Sequence, residues 1–277
     1  MTILVGVKCS DGVVIGADSA VTSAAIPGMH VMTEIGASKI ELPFGGEPLI
    51  VATTGSVGMA LRLFDELRDN YSTGQNIKRW ARHSSVKFAT SLAAIVTNNF
   101  RSAFAPVMQN PQIGFGLGAL VAYIAEDKPQ LVEFDHVQFQ PDFKGVTDAN
   151  GRWRTRPYAT MGSGQPMGDP FLAEANSLLF GADGIPSLKQ GRILATWALK
   201  HVIKYNAGGI GGAIQLAVIE RNDQKQWQAQ LVDCGECEQV VTLIEQHVRA
   251  FWNQPSEEVR QAAGDSDQRP SDAAASG

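Results

Sequence analysis

The sequence predicts an α+β fold in which antiparallel sheets carry helices on their outer faces. Three observations predict it. Blocks of strand-like residues alternate with pairs of helix-like stretches, not with the single crossover helices of βαβ units. The N-terminal block is a hairpin that returns on itself at once. Of the 277 residues, 44% are apolar and 18% charged. That is enough to bury a core without disulfides and too apolar for a wholly disordered chain.

The elements follow in order. Residues 3–9 (ILVGVKC) and 13–17 (VVIGA) are β-branched runs separated by Ser10-Asp11-Gly12. An Asp-Gly between such runs signals a hairpin. Residues 49–53 (LIVAT) read as a strand. In 57–72, Ala60, Phe64, Leu67 and Tyr71 fall at helical spacing, and Val86, Ala89, Ala93, Val96 and Phe100 do so in 77–104. Strands 115–125 and 130–135 pair across Glu126-Asp127-Lys128-Pro129. Residues 137–157 are polar, with Pro141, Gly145, Asn150-Gly151 and Pro157, and predict a long hairpin or loop. Helices at 168–180 and 186–204 come next, then strands at 213–220 and 227–233 and a helix at 236–252. Past Asn253 the composition turns to Pro, Ser, Asp, Ala, Gln and Gly, which predicts a disordered acidic tail over 254–277. One domain over residues 2–253 is left, without internal repeats.

Composition removes several classes of function. The net charge is −5, and the tail holds five acids against two bases, so the body is nearly neutral. No general nucleic-acid-binding charge exists. Three cysteines (Cys9, Cys234, Cys237) make no disulfide framework, and a reduced, cytoplasmic setting is expected. The N-terminal apolar run ends at Lys8 without a basic region before it, so no signal peptide is expected. The run Ile113 to Ala125 is short of the roughly 20 residues of a spanning helix, so no membrane partner is expected. There is no GxxxxGK[S/T] loop, and the glycines of 205–212 (YNAGGIGG) precede a strand, the wrong context for a dinucleotide site. The lone CxxC of Cys234 and Cys237 has no second pair, and the five histidines are scattered. Neither a metal nor a cofactor is expected.

The start of the chain does carry chemistry. Thr2 follows Met1 directly. Initiator methionine is commonly removed before a small residue, which would leave Thr2 with a free α-amine beside its own hydroxyl. The amine has an ordinary pKa of about 7.7–8, so one residue supplies both nucleophile and base. Taken alone, a Met-Thr start means little. Gly16-Ala17-Asp18-Ser19, however, ends the returning strand and comes back beside Thr2. Lys39, in Ala37-Ser38-Lys39-Ile40, precedes apolar Ile40 and Leu42. A lysine buried next to Thr2 would depress the amine's pKa and stabilise a developing alkoxide, with Asp18 keeping the lysine charged. The plainer reading of Asp18 and Lys39 is a surface ion pair.

Together these residues resemble a known family. TILVGVKCSDGVVIGADSAVT (2–22) looks like the opening of a proteasome β subunit or of the related bacterial peptidase HslV. Ser38-Lys39-Ile40 is similar to the family's second-strand lysine. Thr54-Gly55 resembles the glycine that supplies the oxyanion-hole amide. Met161-Gly162-Ser163-Gly164 resembles the G-S-G serine that bonds the threonine amine. The resemblance spans roughly residues 2–250. It implies a four-layer αββα sandwich, the fold of N-terminal-nucleophile (Ntn) hydrolases. It implies Thr2 as nucleophile and base, Lys39 tuning the amine, Asp18 holding Lys39, Ser163 orienting the amine and the Gly55 amide facing the oxyanion. By position, Val21, Thr53 and Val57 would line the substrate pocket and favour modest, apolar side chains. One element departs from the family. The Asp-x-x-Ser that precedes its late Gly-Gly is absent from Ala207-Gly208-Gly209-Ile210-Gly211-Gly212, so the second anchor of the amine is missing or supplied by backbone carbonyls. This departure, the 137–157 insertion and the acidic tail suggest a separate bacterial branch of proteasome homologues.

What the resemblance implies is a self-compartmentalising threonine peptidase of the cytoplasm. It would cut peptides or unfolded proteins inside stacked homomeric rings of seven subunits, with six as the alternative. An ATP-dependent unfoldase would be its partner. Two other readings stay open: a catalytically silent ring scaffold, favoured by the missing Asp-x-x-Ser, and an Ntn amidase acting on a small molecule.

Overall fold

The computed structural model describes residues 1–26, 29–35, 37–72, 84–104, 116–136, 139–147, 153–181, 184–206 and 209–253. The expected acidic tail lies outside the described residues.

The chain begins with a hairpin of β1 (Leu4–Lys8) and β2 (Val13–Asp18), and a ribbon of β3 (Ala20–Ile26) and β4 (Met29–Ile35) follows. Next come β5 (Ile40–Glu41), β6 (Leu49–Gly55), α1 (Val57–Ser72) and α2 (Ser85–Phe104). β7 (Leu117–Ala125), β8 (Lys128–Phe134) and β9 (Pro141–Asp142) form a meander, and β10 (Gly145–Thr147) pairs with β11 (Trp153–Thr155). β12 (Tyr158–Met161), α3 (Gln165–Phe180), α4 (Leu188–Tyr205), β13 (Ile214–Arg221), β14 (Trp227–Val232) and α5 (Gly235–Asn253) complete the fold. It is an α+β fold of two five-stranded antiparallel sheets, ordered β12-β1-β2-β13-β14 and β5-β6-β7-β8-β9, with five helices among the described residues.

Period-two alternation sorts the strand side chains into separate cores. From β1 and β2, Leu4, Val13, Ile15 and Ala17 meet Ile50 and Ala52 of β6 and Leu120 and Ala122 of β7. The neighbouring Val5, Val7 and Val14 instead meet Leu194, Ala198 and Leu199 of α4. On the second sheet, Leu49 and Val51 pack with Leu63, Phe64 and Leu67 of α1 and with Phe88 and Leu92 of α2. β2 is thus covered on both faces, which is why all six of its residues are buried.

The expected hairpin forms: the Cys9 amide donates to the Gly12 carbonyl at 2.9 Å. Several elements differ from expectation. α3 starts at Gln165, not 168, because Pro166 suits the first turn of a helix. The 137–157 stretch supplies β9, β10 and β11, and Tyr158–Met161 just beyond it forms the edge strand β12 beside β1. The ribbon β3–β4 has no counterpart in the sequence reading. Its Ala, Ser and Thr residues show no clean alternation. The predicted helix over 77–104 is seen from Ser85, and 77–83 lie outside the described residues. No described helix is long and apolar enough to cross a membrane.

One buried carboxyl on β8 gives the fold a pH dependence. Glu133 is buried with the Lys144 ammonium 3.8 Å away. Burial pushes its pKa from 4.5 up to about 8, although Lys144 pulls the other way. Between those values the folded chain keeps a proton that the unfolded chain releases. Stability is therefore fully present below pH 4.5 and falls as pH rises through 8. Glu133→Gln mimics the protonated form. It is expected to add on the order of 1–3 kcal/mol at about pH 8.5 and nothing at about pH 4, read as urea midpoints. An equal effect at both pH values would show that the carboxyl titrates normally.

Candidate active site

The N-terminal hairpin delivers Thr2 to Asp18. In the β1–β2 register Leu4 lies opposite Ala17, so the next positions outward are Ile3 and Asp18. The Ile3 amide donates to Asp18 Oδ1 at 3.0 Å, and the Asp18 amide donates to the Ile3 carbonyl at 3.3 Å. Lys39 comes from the other sheet. Its carbonyl accepts from the Thr53 amide at 3.0 Å, extending the β5–β6 ladder by one residue. Its Nζ reaches Asp18 Oδ1 at 2.7 Å. Asp18 is 0% exposed and Lys39 8%. This is a buried pair and not the surface pair of the plainer reading.

The pair is held by Gln215, which the sequence did not single out, and by the backbone of Gly211 in the glycine stretch. Gln215 on β13 accepts from the Lys39 amide through Oε1 at 3.0 Å and donates through Nε2 to the Ala37 carbonyl at 2.8 Å. The Gly211 amide donates to Asp18 Oδ2 at 3.2 Å. The Gly211 carbonyl accepts from Ser19 at 3.2 Å and Ala20 at 3.0 Å. In the glycine stretch that lacks Asp-x-x-Ser, the Gly211 backbone braces Asp18, and residues 207–208 lie outside the described residues. A lone Gln in the apolar run of β13 is the one signal that could have pointed to Gln215.

Ser163 arrives on the opposite flank. β12 pairs with β1 so that Met161 faces Leu4, which carries the next residues past Thr2. The Thr2 amide donates to Ser163 Oγ at 3.1 Å, and the Gly164 amide donates to the Thr2 carbonyl at 3.2 Å. Gly162 sits at φ +92°, and a Cβ there would run into the Thr2 carbonyl oxygen. Only glycine permits this approach. Gly55 has the same kind of restriction at the end of β6: φ is +105°, and a Cβ would strike the Gly116 carbonyl.

A cavity of about 300 Å³ opens beside Thr2. Thr2, Lys39, Gly55 and Ser163 line it, and so do Val21, Thr53 and Val57. Asp18 stands behind Lys39 and does not line it. The cavity also takes in Glu41, Leu61, Phe64 and His136, which sequence spacing did not reveal.

The electrostatics are those of a crowded cation. Burial draws the Lys39 pKa down, and Asp18 opposes the shift. Burial likewise lowers the Met1 amine, the Lys39 charge lowers it further, and Asp18 opposes both. Lys39 Nζ lies 3.5 Å from the Met1 carbonyl oxygen. An amine placed one residue further in, on Thr2, would meet the same burial and the same ammonium. Burial also lowers the pKa of His136. Among the described residues no three His, Cys, Asp or Glu side chains are grouped to hold a metal ion.

No protein-family model matches the chain, and no curated protein matches it.

Proposed function

We propose that the chain is an Ntn hydrolase with the four-layer αββα sandwich of that class, cutting amide bonds with Thr2. One juxtaposition carries the proposal. The Met1–Thr2 peptide bond lies between Ser163 Oγ, 3.1 Å from the Thr2 nitrogen, and Lys39 Nζ, 3.5 Å from the Met1 oxygen. Removing Met1 would leave a primary amine at that nitrogen, with a hydroxyl on one side and an ammonium on the other. The three apolar clusters support the layered fold: one lies between the sheets, and the other two lie between a sheet and its helices.

The chemistry then proceeds on one residue. The Thr2 amine takes the proton of the Thr2 hydroxyl as that oxygen attacks the substrate carbonyl. Burial and the Lys39 ammonium both lower the pKa of an amine at this end of the chain, which favours the unprotonated form that takes the proton. The tetrahedral oxyanion is met by the Gly55 amide. Collapse expels the leaving amine, which receives the proton, and leaves an ester on Thr2. Water, activated by the same amine, hydrolyses the ester. The proposed substrate is a peptide or unfolded protein. The proposed setting is a cytoplasmic chamber of stacked homomeric rings, seven subunits to a ring, fed by an ATP-dependent unfoldase. Confinement of that kind keeps such a nucleophile from folded neighbours.

An intact mass after incubation with a peptide epoxyketone tests the mechanism, because that reagent consumes both the hydroxyl and the amine of an N-terminal threonine. The expected mass lacks Met1 and gains one inhibitor. Processed but unmodified protein would favour the silent ring, and retained Met1 would remove the amine on which the mechanism depends.

A further inference from the structure

The cavity beside Thr2 also has a carboxylate, that of Glu41, in its lining. Ile40 faces the core between the sheets, so alternation places Lys39 and Glu41 together on the other face of the strand. Their Cα atoms are about 7 Å apart along it. Glu41 lies opposite Val51, which packs with α1. Both Lys39 and Glu41 line the cavity that holds Thr2, and Thr53, Ala60, Leu61 and Phe64 line it with them. The cavity beside the nucleophile thus combines apolar groups with a carboxylate in its lining.

The charges in this lining are uneven. Lys39 is matched by Asp18 at 2.7 Å. Burial lowers the pKa of His136, against the pull of Asp135, and so favours its neutral form. Glu41 has the Arg68 guanidinium of α1 at 3.6 Å, but Arg68 also bonds Asp65 at 3.1 Å. Two carboxylates therefore share the Arg68 guanidinium. Glu41 is 33% and Arg68 49% exposed, so their contact is long, hydrated and readily exchanged for another cation.

We propose that this cavity is a side-chain pocket selective for arginine or lysine in the residue before the scissile bond. The apolar stem of the guest lies along Ala60 and Phe64, and its cationic head replaces Arg68 on Glu41. Substrate turnover at the pocket rests on the hydrolase reading above. Selectivity of the pocket for a cation does not, because it can be read as binding. The sequence alone leads to modest apolar guests through Thr53 and Val57. Leu61, Phe64 and Glu41 join them only in the fold, where they lengthen the pocket and give it a charge.

The test measures binding and turnover separately on the processed full-length chain. Binding of two acetylated tripeptides that differ only in a C-terminal arginine or norleucine is measured by calorimetry on Thr2→Ala protein, which cannot turn them over. Roughly tenfold tighter binding of the arginine peptide is expected. Glu41→Gln in the same background is expected to bring the ratio near one, and Glu41→Lys to favour a peptide ending in glutamate. Equal affinities in the parent, or a ratio unmoved by both Glu41 substitutions, would overturn the pocket proposal. Turnover of the matching fluorogenic peptides by protein with Thr2 intact reads the hydrolase. Its absence beside Glu41-dependent binding would overturn the hydrolase reading and leave the pocket. Turnover with no arginine preference would overturn the pocket alone.

Discussion

Thr2→Ala is expected to lower peptide hydrolysis by at least about 10³-fold while leaving the fold and assembly unchanged. The substitution removes the hydroxyl that attacks and keeps everything that positions the residue. The bonds to Ser163 and Gly164 run through the Thr2 backbone, and alanine retains that backbone. Loss of activity with an unchanged melting temperature and an unchanged sedimentation coefficient would separate chemistry from structure. Undiminished turnover by the variant would sink the mechanism, and a wild-type species near the monomer mass would sink the ring.

Asp18→Ala is expected to be the most destabilising single change at the site. It leaves the Lys39 ammonium buried without its carboxylate, and it leaves the Ile3 and Gly211 amides without their acceptor. Breaking a buried pair by removing one member costs about 3–5 kcal/mol. In a domain of this size each kcal/mol lowers the melting temperature by roughly 2–4 °C. Adding Lys39→Met should recover much of that loss, because two apolar groups can replace a buried pair at little cost. The double variant is nonetheless expected to lose most of its activity, since burial alone would then lower the Thr2 amine's pKa and no ammonium would meet the developing alkoxide. A single-variant loss under about 1 kcal/mol would mean that the pair is solvated in the protein and that Lys39 is not the buried charge the mechanism uses.

These two predictions rest on different kinds of information. The closeness of Thr2 to Asp18 is legible in the sequence because a tight hairpin is local: Ile3 and Asp18 are 15 positions apart, with Asp-Gly at the turn. Lys39 showed as a lysine before an apolar run, and Gly55 and Ser163 were legible only through resemblance. No spacing rule joins Ser163 to Thr2 across 161 positions. The structure brings them together by pairing β12 with β1. Gln215 showed only as a lone Gln in an apolar run and Gly211 only as one glycine of a Gly-rich stretch, because they lie 176 and 193 positions from the groups they hold. Glu41 reads in the sequence as one more charged residue after an apolar one.

By itself the sequence determined the α+β class, the opening hairpin, the periodic helices, and a threonine with a carboxylate folded back beside it. All of these depend on intervals of a few residues, where propensity and periodicity act. The tertiary structure alone decided that Lys39 is buried against Asp18, that the Gly211 backbone braces that carboxylate, and that Glu41 joins the lining of the cavity beside Thr2. Those outcomes depend on the register of distant strands, and register is set by how the apolar faces of two sheets and their helices fit together.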